Sequence, residues 1–194
     1  MDEMLVAGVP PEGVRVGGLA VAAQRAADLL RAQKGTIAVL DATTGGLIQA
    51  MLQAVPRSSR FFLGGMTIYS RQAALQLPRE LREKLGTPQE NYASPPAYWV
   101  SKQVFTDELS SYISSQFSST WSVAESGAVD PAGLPEQLRG AGAFTSVTVR
   151  GPGVHVSRLY RVEGCTREEA MVRFAIAALA LLAEALESKP LGKL

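Results

Sequence analysis

The residues best placed for chemistry follow a short apolar segment in the first quarter of the sequence. Residues 36–40 are apolar or β-branched without alternation, which predicts a strand buried on both faces of a sheet. A polar turn comes next, and a helical run begins at Leu47. A helix N-terminus offers free backbone N–H groups to an anion, and glycine lets a ligand approach the backbone. The turn therefore predicts a binding site with four candidate ligand-binding residues, Thr43, Thr44, Gly45 and Gly46.

The same turn also has a purely structural interpretation. Thr43 or Thr44 is suited to cap the following helix while the glycines form a tight turn. The glycine spacing matches neither the Walker pattern nor the dinucleotide-binding pattern. Farther along the chain, Arg57 and Arg60 are either anion ligands or solvated loop charges, and residues 125–133 form a second polar turn that contains glycine.

Hydrophobic periodicity predicts the elements that must position these turns. The predicted helices cover residues 19–33, 47–55, 71–77, 97–117 and 167–188, and the predicted strands cover residues 36–40, 61–70, 120–124, 143–149 and 154–162. Thr166 is predicted to cap the last helix. Two segments are predicted to be loops: residues 78–96, which contain at most one helical turn, and residues 134–142. This order of elements predicts an α/β fold, with a mixed sheet and helices on both faces.

Composition excludes several classes of function. The net charge of +1 provides no electrostatic basis for binding nucleic acid or an acidic membrane. The single cysteine, Cys165, excludes an internal disulfide, and with the single histidine, His155, it excludes metal sites built from clusters of these residues. We therefore predict no metal and no cofactor. The acidic N-terminus lacks the basic region of a signal peptide, and the longest apolar run, residues 174–183, is too short to span a bilayer.

Four motifs occur in an order and spacing typical of one known family. They are Asp-Ala-Thr-Thr-Gly-Gly at 41–46, Arg-Ser-Ser-Arg-Phe-Phe-Leu-Gly-Gly at 57–65, Ile-Tyr-Ser-Arg-Gln-Ala-Ala at 68–74 and Ser-Gly-Ala-Val-Asp-Pro-Ala-Gly at 126–133. Over residues 19–186 the chain thereby resembles the CinA C-terminal domain family, the nicotinamide-nucleotide amidohydrolases. The resemblance implies the three-layer sandwich of that family, and it adds Arg57, Ser126 and Gly127 to the candidate ligand-binding residues.

The chain departs from the family at the positions that carry the chemistry. In the family, the acidic residue is followed by a serine nucleophile, which a tyrosine and a lysine assist; the matching positions here are Ala42, Tyr69 and Ala74. Alanine offers neither a nucleophilic oxygen nor a basic nitrogen, so we predict no catalytic residue and interpret these three positions as vestigial. Thr43 is not expected to replace the missing nucleophile at position 42. Adjacent strand residues point to opposite faces, and we find no lysine or histidine placed to activate its hydroxyl.

Three further departures concern the pocket. Glu125 and Asp130 flank the second turn, where their carboxylates are predicted to repel a nucleotide phosphate. Phe144 stands where the family has glycine, and its bulk is predicted to fill part of the pocket. Together with Ala42 and Ala74, these residues predict a degenerate member of the family.

The predicted function is that of a non-catalytic accessory or structural subunit of a larger protein assembly, with an organellar, respiratory-type complex as a candidate host. The alternatives are a nicotinamide-nucleotide amidohydrolase and a nucleotide-binding sensor. The expected partners are other protein subunits, without nucleic acid or direct membrane insertion, and a homo-oligomer is compatible with the sequence. The compartment stays open between the mitochondrial matrix and the cytoplasm. Residues 1–17 are predicted to be an arm, 18–188 the α/β domain and 189–194 a tail.

Overall fold

The sheet of this protein determines where its polar turns meet. The computed structural model describes residues 6–8 and 16–188. Within these ranges the strands are β1 (Val6–Gly8), β2 (Ile37–Asp41), β3 (Phe62–Thr67), β4 (Trp121–Ala128), β5 (Ala143–Gly151) and β6 (Val154–Val162). They form one six-stranded sheet in the order β1-β6-β5-β4-β2-β3, in which only β5 runs antiparallel to its neighbours. The carboxyl ends of β2, β3 and β4 therefore lie at the same edge.

Helices cover both faces of this sheet. They are α1 (Val16–Ala32), α2 (Leu47–Ala54), α3 (Arg71–Ala74), α4 (Arg79–Lys84), α5 (Pro88–Asn91), α6 (Pro95–Phe117) and α7 (Arg167–Glu187). Residues from α1, α2 and α7 share one apolar core with the sheet, and residues from α4 and α6 share another on the opposite face. The predicted mixed sheet between two layers of helices, a three-layer sandwich, is thus confirmed.

Strand β2 shows why the sheet needs both layers. Ile37 and Val39 belong to the core under α1 and α7, whereas Ala38 and Leu40 belong to the core under α6. All four side chains are fully buried. The non-alternating apolar segment was therefore correctly interpreted as a strand buried on both faces.

The last helix begins where its predicted capping residue, Thr166, indicated. The Thr166 hydroxyl accepts a hydrogen bond from the backbone N–H of Glu169, and the Glu169 carboxylate accepts one from the N–H of Thr166. This reciprocal pair satisfies two donors at the start of α7. The predicted hairpin of β5 and β6 is also confirmed.

Several boundaries differ from the prediction. Strand β4 was expected to end at residue 124, but its antiparallel pairing with β5 continues to Ala128, so residues 125–127 belong to a strand rather than to a turn. The helical turn allowed within residues 78–96 is α4, which is longer than one turn, and the expected loops also contain α5 and a 3-10 helix at Glu136–Ala141. Val6–Gly8, within the predicted arm, pairs with β6, while residues 1–5, 9–15 and the predicted tail lie outside the described residues. Every helix in the described ranges is too short or too polar to cross a membrane.

Candidate functional site

A cavity of about 630 Å³ opens at the edge of the sheet where β2 and β4 end. Because these two parallel strands are neighbours, the turn after β2 meets the end of β4. The backbone N–H of Gly127 donates a hydrogen bond to Oγ1 of Thr43. Residues 84 positions apart in the sequence are thereby joined at the floor of the cavity.

Glu125 holds this turn from beneath. One of its carboxylate oxygens, Oε2, accepts hydrogen bonds from the backbone N–H groups of Ala42 (3.2 Å) and Thr44 (3.0 Å) and from the Thr44 hydroxyl (3.1 Å). The Thr145 hydroxyl donates to Oε1. The side chain is fully buried, and this burial raises the pKa of the Glu125 carboxyl, although the hydrogen bonds from Thr145, Thr44 and Ala42 act in the opposite direction.

The prediction that Glu125 faces a bound phosphate is therefore wrong. Glu125 does not line the cavity, because it lies in β4 with its carboxylate directed at the backbone of the turn. Glu125 has a structural role in this turn. It accepts hydrogen bonds from Ala42 and Thr44, whose donors would otherwise lack a partner in the interior. The acidic residue organises the candidate site without taking part in ligand contact.

The charged groups that line the cavity are predominantly basic. Among the residues that the structure describes, one carboxylate lines the cavity, that of Asp130, and four cationic side chains do so: Arg71, Arg82, Lys102 and Arg167. Asp130 also accepts a hydrogen bond from the backbone N–H of Ala132 at 2.9 Å, which is the role of an ordinary turn residue. The balance of charge in the cavity therefore favours an anion.

Lys102 is the site residue that the sequence reasoning missed. It enters the cavity from α6, where its Nζ lies 5.4 Å from the ring centroid of Tyr98 and 5.3 Å from that of Phe105. Nζ also donates to Oγ of Ser126 at 3.4 Å. Burial lowers the pKa of Lys102 to about 8, against the opposing influence of the Glu125 charge. The available signal was a lysine at helical spacing between two aromatic residues of one helix.

The candidate residues divide into two groups. Six of them line the cavity: Ala42, Thr43, Tyr69, Ala74, Ser126 and Gly127. Thr44 is fully buried against Glu125. Gly45 and Gly46 do not line the cavity; their φ angles of +64° and +94°, a conformation that favours glycine, form the turn.

Arg57 lies at the opposite edge of the sheet. It precedes the short 3-10 helix Ser58–Arg60, in the connection between α2 and β3. Since β2 and β3 are parallel, the helix between them returns the chain to the amino ends of the strands. The structure therefore does not bring Arg57 together with the turn after β2.

Phe144 does not fill the pocket, contrary to prediction. Its ring is fully buried and packs edge-to-face against Tyr98, with ring centroids 5.4 Å apart, and against Trp99 at 6.4 Å. This aromatic cluster lies behind the cavity wall, and only Tyr98 of the three lines the cavity. Phe144 thus supports the wall rather than closing the site.

The described residues contain no cluster of three His, Cys, Asp or Glu side chains that could hold a metal ion. The cavity instead combines basic groups with four aromatic side chains, Tyr69, Tyr92, Tyr98 and Phe105. Such a lining is suited to a small organic anion that carries a ring.

The chain is similar to known proteins over most of its length. The family model described as the CinA C-terminal domain matches residues 20–186. A CinA-like protein of Chlorobium chlorochromatii (strain CaD3) is 30% identical over 156 residues, which cover 78% of this chain and 33% of that protein. A CinA-like protein of Dictyoglomus thermophilum is 37% identical over 83 residues, which cover 41% of this chain and 20% of that protein. The chain thus spans a third or less of the length of these relatives.

Solved structures show the same fold. A competence-damaged protein (CinA) superfamily protein from Klebsiella pneumoniae 700603 superposes with a TM-score of 0.68 at 20% identity, covering 88% of this chain and 99% of that one. A competence or damage-inducible protein from Enterobacter asburiae gives a TM-score of 0.69 at 18% identity, covering 87% and 98% respectively.

Proposed function

Because the chain belongs to the CinA C-terminal domain family, we propose that it binds a small anionic ligand of nucleotide type in the cavity beside Ala42, without the serine-dependent amide hydrolysis associated with that position. The observation that carries this proposal is the lining of the cavity, in which the described residues contribute four cationic side chains and one carboxylate. Guanidinium groups bind phosphate oxygens through paired, charge-assisted hydrogen bonds. Of the functions considered from the sequence, the nucleotide-binding sensor fits this lining best.

The size and the aromatic content of the cavity support a nucleotide-type ligand. A volume of about 630 Å³ lies within the ordinary range for small-molecule sites. The Arg71 guanidinium lies 5.0 Å from the ring centroid of Tyr92, so a basic group and an aromatic face stand together on one wall. A ligand with both a phosphate and a planar ring would use both features.

The loss of the nucleophile supports binding without hydrolysis at the family position. Ala42 and Ala74 both line the cavity, yet neither supplies the hydroxyl or the amine of the family mechanism. Tyr69 is two-thirds exposed, and its hydroxyl accepts a hydrogen bond from the Arg167 guanidinium at 2.8 Å. The retained tyrosine is therefore placed to orient a basic group toward a ligand.

Removing a cavity arginine is expected to weaken nucleotide binding. We expect Arg71→Met and Arg167→Met each to raise the Kd for nicotinamide mononucleotide at least about tenfold, because each removes a charge-assisted contact. Isothermal titration calorimetry measures the change. Arg79→Met is the matched control, since Arg79 is an exposed arginine that pairs with Glu83 away from the cavity. No binding of the nucleotide by the unmodified protein, or equal Kd values for Arg71→Met and Arg79→Met, would contradict the proposal.

A second candidate function is the accessory subunit of a larger assembly. One observation favours it: Val100 and Val104 lie one turn apart on α6, with 50% and 40% of their surface exposed. A pair of exposed valines on one helix face is a candidate contact with another protein. An organellar, respiratory-type complex remains the proposed host.

This second function predicts a stable complex in source cells. We expect the chain to elute from a native lysate in an assembly of several hundred kilodaltons, and Val100→Ser with Val104→Ser to shift it to the monomer position. Val21→Ser, at an exposed valine on α1, is the matched control and should leave the elution unchanged. Elution of the unmodified chain as a monomer would contradict this function.

A further inference from the structure

Ser126 and Lys102 form a contact that the family mechanism does not use. We propose that Ser126 is a nucleophile and Lys102 its general base, acting in acyl transfer from an ester or amide that carries an anionic group. The binding of that anionic group rests on the proposed function, whereas the pairing of nucleophile and base goes beyond it. The hydroxyl and the amine that are missing at positions 42 and 74 are thereby replaced by groups from two other elements.

Geometry places this pair beside the vacated nucleophile position. Ser126 lies near the carboxyl end of β4, and Ala42 follows the carboxyl end of the neighbouring strand β2. Both side chains line the same cavity. Lys102 approaches from α6, and its Nζ lies 3.4 Å from Oγ of Ser126. A serine hydroxyl within hydrogen-bond reach of a basic group is the arrangement that nucleophilic catalysis requires.

The surroundings of Lys102 suit a base rather than a structural cation. No carboxylate of the described residues lies within ion-pair distance of Lys102, although the charge of the buried Glu125 acts on it. Its Nζ lies 5.4 Å and 5.3 Å from the centroids of two aromatic rings. Burial lowers the pKa of its ammonium group to about 8, so a substantial fraction of the amine is neutral near that pH. A neutral amine can accept the Ser126 proton.

The proposed reaction has two balanced steps. Oγ of Ser126 forms a bond to the carbonyl carbon of the substrate while its proton passes to the neutral amine of Lys102. The bond from that carbon to the leaving nitrogen or oxygen then breaks, and the Lys102 ammonium returns the proton to the leaving group. Water next attacks the acyl-serine and gives a proton to Lys102, which passes it to Oγ as the carboxylic acid departs. The cations Arg71, Arg82 and Arg167 attract the anionic part of the substrate.

A fluorophosphonate probe tests the pair without knowledge of the natural substrate. Attack by Oγ forms an O–P bond and expels fluoride, so labelling adds a defined mass to the protein. We expect one adduct, which peptide mapping places on Ser126, and none on Ser126→Ala. Lys102→Met is expected to slow labelling at least about 100-fold, the usual contribution of a general base. Ser115→Ala and Lys84→Met, at exposed positions outside the cavity, are controls that should leave the rate unchanged.

The pH profile separates a base from a merely structural lysine. The labelling rate should rise with pH through about 8 as Lys102 loses its proton. The charged groups around Lys102 are Glu125 from β4, Arg71 from α3 and, around the cavity, Asp130, Arg82 and Arg167. Lys102→Arg retains the positive charge but provides no base at these pH values, so it should label as slowly as Lys102→Met. This second variant keeps the test decisive if methionine destabilises the fold.

Two results would overturn the proposal. One is the absence of an adduct on Ser126 in the folded, unmodified protein. The other is a labelling rate that neither folded Lys102 variant lowers. Calorimetric titration with nicotinamide mononucleotide on the same preparation distinguishes this failure from failure of the proposed function, because nucleotide binding without labelling overturns the catalytic pair alone.

Discussion

Replacement of Glu125 by alanine is expected to lower the free energy of unfolding by about 3 kcal/mol or more, because alanine leaves several buried donors without an acceptor. The backbone N–H groups of Ala42 and Thr44 and the hydroxyls of Thr44 and Thr145 all donate to this carboxylate. The site is fully buried, so water does not readily replace the lost acceptor. Urea unfolding followed by circular dichroism measures the change.

Glu125→Gln is the matched control for this experiment. Its amide oxygen can accept from Ala42 and Thr44, and its NH₂ group can donate to the Thr145 hydroxyl, which is able to rotate. We therefore expect it to remain within about 1 kcal/mol of the unmodified protein. Equal losses for alanine and glutamine would show that the hydrogen bonds of Glu125 do not hold the turn.

The pH dependence of the free energy of unfolding is a second test of the role of Glu125. Burial raises the pKa of Glu125 above its ordinary value of 4.5, so the folded state binds a proton more tightly than the unfolded state. The stabilisation from this proton is fully present below pH 4.5 and is lost as pH rises through the raised pKa. Asp41, whose pKa burial also raises, acts in the same direction. Glu125→Gln should therefore show a shallower decline in stability than the unmodified protein.

Restoring the family residues is expected to create amidase activity at the vacated position. We expect Ala42→Ser combined with Ala74→Lys to raise hydrolysis of nicotinamide mononucleotide at least about 100-fold above the parent, because the pair supplies a nucleophile and a general base together. Both alanines line the cavity beside Tyr69, so the new groups enter an existing site. Release of ammonia measures the reaction. The parent carries Ser126→Ala, which removes any contribution from that serine.

The single variants control this second experiment. Ala42→Ser alone lacks the base and Ala74→Lys alone lacks the nucleophile, so each should remain near the parent rate. If the double variant folds, binds the nucleotide and still remains at the parent rate, the cavity does not present the family geometry. Equal activity of a single variant and the double variant would show that the two positions do not act together.

Local patterns in the sequence determined much of the fold. The apolar residues of β2, which do not alternate with polar ones, predicted a strand buried on both faces. The polar turn before Leu47 predicted a site at the carboxyl end of that strand. Thr166 marked the start of α7. The motifs also identified the family, with alanine at positions 42 and 74. These properties could be predicted because each depends on residues that lie close together in the chain.

Only the tertiary structure decided how distant segments share the site. Pairing with β5 extends β4 through Glu125 and directs that carboxylate under the turn, where sequence reasoning expected repulsion of a phosphate. The packing of α6 against the sheet brings Lys102 to Ser126, and the same packing places Phe144 behind the cavity wall. The parallel crossover carries Arg57 to the opposite edge. These contacts join residues far apart in the chain, and the periodicity of a single segment contains no information about which side chain from another element will face it.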